Sequence, residues 1–179
     1  MYHKVFQGVI GMKKISVLLA ALFVCASATF AADPVLGYWV SIDEDTNEPT
    51  GAWRIWEEGG KLYGKMVALV GYAADQKAVG AKGRGPYVGF PHPGKMEDMT
   101  VIGTTWIYDL EKKENGVWHK GYIVDPNNGK RYKCKITFRK ADGKKYKTDT
   151  LEMRGEIGAG IGRSQFWTAT TEAEAFALK

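Results

Sequence analysis

From residue 37 onward, apolar and polar residues alternate in short runs. The clearest spans 130–139, where Tyr132, Cys134, Ile136 and Phe138 take one side and Arg131, Lys133, Lys135, Thr137 and Arg139 the other. That is the period of a half-buried β-strand. Seven more runs follow it, at 38–43, 51–57, 61–70, 101–111, 117–124, 150–157 and 161–168. Turn residues divide them, among them Glu58-Gly59-Gly60, Asn115-Gly116, Asn128-Gly129 and Gly158-Ala159-Gly160. Asn-Gly and Gly-Gly pairs accept the positive φ that tight hairpins demand. The pattern therefore predicts an all-β protein whose eight sequential strands form an antiparallel up-and-down meander closed into a barrel. Parity is weakest at 51–57, where Trp53 and Trp56 point to opposite faces.

Two stretches depart from period two. Residues 71–100, between strands 3 and 4, hold six glycines and three prolines and no sustained pattern. A loop of that length inside one domain is expected to be functional or mobile. At the C-terminus, Thr171-Glu172-Ala173-Glu174 has the form of a capping box. It predicts a short helix packing Phe176 and Leu178 on the barrel, with a frayed end as the alternative. Asp125-Pro126-Asn127-Asn128-Gly129 needs only a structural explanation: Pro126 presets φ, Gly129 tolerates the left-handed region, and a plain corner is expected.

Four stretches in order, Gly37-Tyr38-Trp39, Gly121 to Tyr132, Leu151-Glu152-Met153-Arg154-Gly155 and Ile161 to Trp167, resemble a family of small exported bacterial proteins defined by a domain of unknown function. The resemblance runs from about Leu36 to Thr168. It implies a lipocalin-like barrel and supplies no activity. In lipocalins a Gly-x-Trp tryptophan on the first strand packs at the closed end against an arginine from a late strand. The resemblance thus implies a structural pair between Trp39 and Arg163, with Arg154 as the second candidate.

The first 31 of the 179 residues read differently from the rest. Met12-Lys13-Lys14 precedes an apolar run from Ile15 to Ala28, and Thr29-Phe30-Ala31 supplies small residues for cleavage. We read 1–31 as an upstream extension plus a secretory signal peptide cut near Ala31, and 32–179 as a single domain, periplasmic or secreted. A membrane span and lipidation at Cys25 are the lesser readings of the same stretch. Removing residues 1–31 deletes Lys4, Lys13 and Lys14 and no acid, leaving 22 basic and 20 acidic residues, a net charge of +2. That balance removes the simplest compositional support for nucleic-acid binding, and none is expected. Cys134 is then the one cysteine left, on an apolar strand face, and reads as a small core residue.

Candidate chemistry is sparse. Gly89-Phe90-Pro91-His92-Pro93-Gly94-Lys95 has phosphate-loop spacing, but Met96 stands where a hydroxyl is needed and the prolines remove N–H donors. Asp43-Glu44-Asp45-Thr46-Asn47 opens like a calcium loop, yet Glu48 replaces the turn glycine and Arg54 the bidentate glutamate. An acidic hairpin connection is the better reading. With only His92, His119 and Cys134 as soft ligands, no metal or cofactor is expected, and no catalytic residue is assigned. The nine Lys and Arg residues between Lys130 and Lys147 read as a solvated strand face, with contact to an anionic envelope component as the alternative.

Aromatic residues carry the remaining signal. Trp53, Leu62, Met66, Trp106, Tyr108, Tyr132, Ile136 and Met153 fall on predicted strands and are the candidate lining of a barrel interior. The expectation is a non-enzymatic barrel that binds a small apolar or amphipathic ligand inside, with residues 71–100 as its rim. The alternative is a filled barrel that contacts an anionic partner through its basic strand face or long loop.

Overall fold

The computed structural model describes residues 32–78, 99–158 and 160–179. The leader expected at 1–31 and the central part of the 71–100 loop lie outside the described residues. Eight strands follow in order: β1 (Gly37–Ile42), β2 (Pro49–Glu58), β3 (Lys61–Leu69), β4 (Thr105–Glu114), β5 (Val117–Val124), β6 (Arg131–Arg139), β7 (Thr150–Gly158) and β8 (Ile161–Thr170). A C-terminal helix, α1, spans Glu172–Ala177. Seven runs become strands within two residues of the expected start. The exception is β4, which begins at Thr105 because residues 101–103 turn, with Gly103 at φ +91° donating its N–H to Met66 O at 2.8 Å.

Each strand pairs antiparallel with its neighbour, and β1 pairs with both β2 and β8. The sheet is a closed eight-stranded barrel. Closure pairs each of the eight described strands on both sides. The register decides which residues face inward. Trp39 lies opposite Trp53, Ile55 opposite Gly64, Gly64 opposite Ile107, and Ile136 opposite both Trp118 and Met153.

Two inward glycines show how tightly the middle of the barrel is filled. A Cβ on Gly121 would lie 2.6 Å from the Leu110 side chain and backbone nitrogen, and one on Gly64 would lie 2.7 Å from Ile55 Cδ1. Neighbouring side chains occupy the space that these residues leave.

One end of the barrel is sealed by the segment leading into β1. Val35 is fully buried there, and Trp39 Nε1 donates to its carbonyl at 2.9 Å. Asp33, whose side chain is 2% exposed, anchors the segment. Its carboxylate accepts the N–H groups of Val35 (3.2 Å) and Gly116 (3.1 Å) and Nε1 of Trp118 (3.2 Å). Lys112 Nζ approaches at 2.9 Å and also lies 5.5 Å above the Trp118 ring. A buried carboxylate is stable only when paired and hydrogen-bonded to this degree.

Helix α1 packs outside. Thr171 and Glu174 form the reciprocal capping box that their spacing predicts. The residue it buries is Ala175, against Ala52, Val67 and Ala68. Phe176 is instead 56% exposed, with its ring 6.0 Å from Tyr38. A register shift between Ala52 and Trp53 pairs Ala68 with Ala52 and Met66 with Trp53, so small residues form the outer seat on which the helix rests.

Replacing Asp33 with alanine would strand the Gly116 and Trp118 N–H groups and leave Lys112 without its counter-ion. The expected loss is about 2–4 kcal/mol in urea unfolding. A loss below about 0.5 kcal/mol would show that the sealed end does not need this carboxylate.

Candidate ligand-binding site

At the other end, where the β1–β2, β5–β6 and β7–β8 connections lie, the barrel is hollow. The cavity there measures about 740 Å³. Trp53 forms its floor, stacked at 4.9 Å and 15° on the fully buried Trp167. Met66, Leu69, Ile123, Tyr132 and Met153 form the wall.

Gly155 makes much of the room. It lies on the inner row of β7 beyond Leu151 and Met153, opposite Cys134 and Arg163. A Cβ there would find its nearest neighbours among Tyr132 and Ile123 atoms at 3.6 Å or more, ordinary contact distances. Where Gly64 and Gly121 are filled by their neighbours, Gly155 opens onto the cavity.

The polar groups are few. Ser41 and Thr50 satisfy each other at 2.8 Å, and Ser41 also donates to Gly51 O at 3.0 Å. Gln165 accepts from Trp167 Nε1 at 3.3 Å. At the rim stand Asp125, Pro126 and Asn127 with Ile157, Ile161 and Arg163, both isoleucines being largely exposed.

The corner at 125–129 is a turn at the rim of the cavity. Asp125 Oδ1 accepts from Asn127 N and Oδ2 from Asn128 Nδ2, both at 2.8 Å, while Gly129, at φ +70°, donates to Asp125 O. These bonds account for the conformation, and they hold Pro126 and Asn127 over the cavity mouth.

Of the expected lining, Trp53, Met66, Tyr132 and Met153 face the cavity. Leu62 and Ile136 face inward but belong to the packed layer below it, each fully buried. Trp106 and Tyr108 are corrected outright: they stand on the outer face of β4. Two register shifts against β3 place Ile107 opposite Gly64 and Leu110 opposite Leu62, so Ile107 and Leu110 take the inner positions. Asp109, at φ +61°, absorbs the irregularity. Trp106 Nε1 donates to Val101 O at 2.7 Å, and Tyr108 packs on Tyr122 at 5.6 Å with Arg131 above the Tyr122 ring at 4.5 Å. Burial raises the Tyr108 pKa against the lowering influence of Arg131.

The pair expected between Trp39 and Arg163 does not form. Antiparallel register puts Ala169 opposite Trp39, six residues along β8 from Arg163 and about 20 Å away at strand rise. Trp39 meets Phe138 edge-on at 6.3 Å instead. Arg163 reaches Glu44 at 3.5 Å at the open end, and Arg154 binds Glu156 at 2.7 Å and Gly160 O at 2.8 Å.

Sequence reasoning missed Ser41, Thr50, Gly155 and Gln165 because small and polar side chains carry no hydrophobic signal. Period two from Leu151 and Met153 could have found Gly155. Elsewhere, Asp43 caps its own turn, accepting from Asp45 N, Thr46 N and the Thr46 hydroxyl. The backbone N–H groups of Thr46 and Asp45 hold its carboxyl below the usual range. Among the described residues, no group of three or more His, Cys, Asp or Glu is placed to hold a metal ion. The phosphate-loop spacing at 89–95, with His92, lies outside the described residues.

An antiparallel eight-stranded barrel, plugged at one end and hollow at the other, is the architecture of a lipocalin-like protein. The structure is similar to one described as "Protein HP1028 from the human pathogen Helicobacter pylori belongs to the lipocalin family", with a TM-score of 0.58 and 17% identity over 80% of this chain and 89% of that one. Residues 37–169 match the family described as uncharacterized protein conserved in bacteria (DUF2147), and the chain belongs to that family. No curated protein matches it.

Burial pushes the Cys134 thiol far above its ordinary range. A thiolate is the reactive form, so the folded protein is expected to leave Cys134 unmodified by a thiol reagent such as DTNB until denaturant is added. Rapid labelling without denaturant would show that the layer beneath the cavity opens.

Proposed function

We propose that this protein binds a small apolar or amphipathic ligand in the open half of its barrel. The observation that carries the reading is the cavity: 740 Å³ lies within the range of about 300–1,000 Å³ typical of small-molecule sites. Its wall is aromatic and aliphatic, with few polar groups, which is the chemistry that takes up an apolar body and fixes its orientation. The lipocalin-like fold is consistent with this use.

Binding without catalysis is the form the proposal takes. Asp125 is committed to its own turn, and among the described residues of the wall no acid–base pair is assembled. The alternative of a filled barrel needs a solid interior, and the open half is not filled by the described residues. The basic face is also partly neutralised: Arg139 binds Glu152 at 2.6 Å and Lys140 binds Asp149 at 2.8 Å. The Met12–Ala31 stretch would deliver the domain to the periplasm or beyond.

Gly155→Leu tests the reading directly, because its Cβ is accommodated and the remaining carbons project into the cavity. Titration with the apolar dye N-phenyl-1-naphthylamine is expected to saturate on the native protein and to weaken by about tenfold or more in Gly155→Leu, with the folded barrel retained by circular dichroism. Met66→Trp should act in the same direction. Undiminished dye affinity in both folded variants would overturn the assignment.

A further inference from the structure

The proposed pocket has a polarity that selects one end of its ligand. We infer that the cavity takes a single-chain amphiphile whose anionic head is held at the mouth by Arg163, with the hydrocarbon running down to Trp53. This inference rests on the pocket reading above and adds the class of ligand.

The inner row of β8 carries the argument. Arg163, Gln165 and Trp167 succeed one another from rim to floor, opposite Gly155, Met153 and Leu151. Charge, amide and hydrocarbon therefore appear in order of depth. Among the described residues, Arg163 and Asp125 are the charged ones in the cavity lining. Both Asp125 oxygens are engaged within its turn, at 2.8 Å each. Arg163 is held more loosely, between Glu44 and the Asp43 carboxylate whose ionised form its charge also favours. Its ion pair with Glu44 is 3.5 Å long between side chains that are 76% and 43% exposed. Charge-assisted bonds of full strength are about 2.7–2.9 Å, and exposed pairs of this kind contribute little. A guanidinium with five donors in a planar fork is suited to a carboxylate or phosphate head.

The groups below the arginine fit the same polarity. Gln165 uses its Oε1 to accept from Trp167, which leaves its Nε2 as a donor toward the cavity. Tyr132 adds a phenol to the lining across from Gly155. Deeper still, Trp53, Met66 and Met153 offer no group that would solvate a charge. A cationic head would face Arg163 with like charge, and a neutral head would gain only ordinary hydrogen bonds.

Displacement of N-phenyl-1-naphthylamine by dodecanoate, dodecanol and dodecyltrimethylammonium, below their micellar concentrations, separates these heads on one tail. Dodecanoate is expected to displace the dye at about tenfold lower concentration than dodecanol, with the ammonium weakest. Arg163→Gln should erase the carboxylate's advantage and leave dodecanol unchanged, while Glu44→Gln should enlarge it. Dodecyl phosphate behaving like dodecanoate would show that the site reads anionic charge and not the carboxylate shape. Equal displacement by dodecanoate and dodecanol, or an Arg163→Gln variant that weakens both alike, would overturn the head-group inference with the pocket intact. Failure of the dye and all the amphiphiles to bind would overturn the pocket reading itself.

Discussion

A closed barrel of eight strands has a fixed internal width, and everything else in this molecule follows from how that width is used. Once β1 pairs with β8 as well as β2, the interior can neither widen nor collapse, and only side-chain volume determines whether it is core or cavity. Leu62, Leu110, Trp118 and Ile136 leave no space in one half. Gly155 and Ser41, on the inner rows of the other half, leave a chamber. Packing and pocket are therefore not competing descriptions of the same aromatic residues. They are two depths of one tube.

The two ends also divide their electrostatics. At the sealed end a charge is buried and fully partnered: Asp33 gathers two backbone N–H groups, an indole and a lysine, and ties the entering chain to β4 and β5. At the open end charges are exposed and loosely paired, as between Arg163 and Glu44. Strong internal pairing suits a part that must not move. Loose pairing leaves a charge free to meet another partner.

Much of the fold was legible because period-two alternation and turn chemistry are local properties. Tyr132 to Phe138 announced its faces residue by residue, and Thr171 with Glu174 announced the start of α1. Register was not legible, since it is settled between strands and each bulge reverses the parity beyond it. Trp106 and Tyr108 read as lining because they are aromatic residues on a predicted strand, and two irregularities in the pairing of β4 turn them to its outer face. Arg163 went to the wrong end because a short Gly-x-Trp resemblance carries no information about where β8 meets β1. Half of the expected lining reached the cavity; the residues that create its volume are small ones, which an argument built on large apolar side chains passes over.

The long connection between β3 and β4 begins and ends at a fixed gate. Ala78 N bonds Met99 O at 3.1 Å, Val101 N bonds Gln76 O at 2.9 Å, and Ala78, Met99 and Val101 are all buried. The chain thus leaves β3 and returns to β4 through one short antiparallel clasp, with Lys77 opposite Thr100. The two feet of the connection are held to each other by backbone bonds, so the end of one strand and the approach to the next are fastened together like the two sides of a buckle.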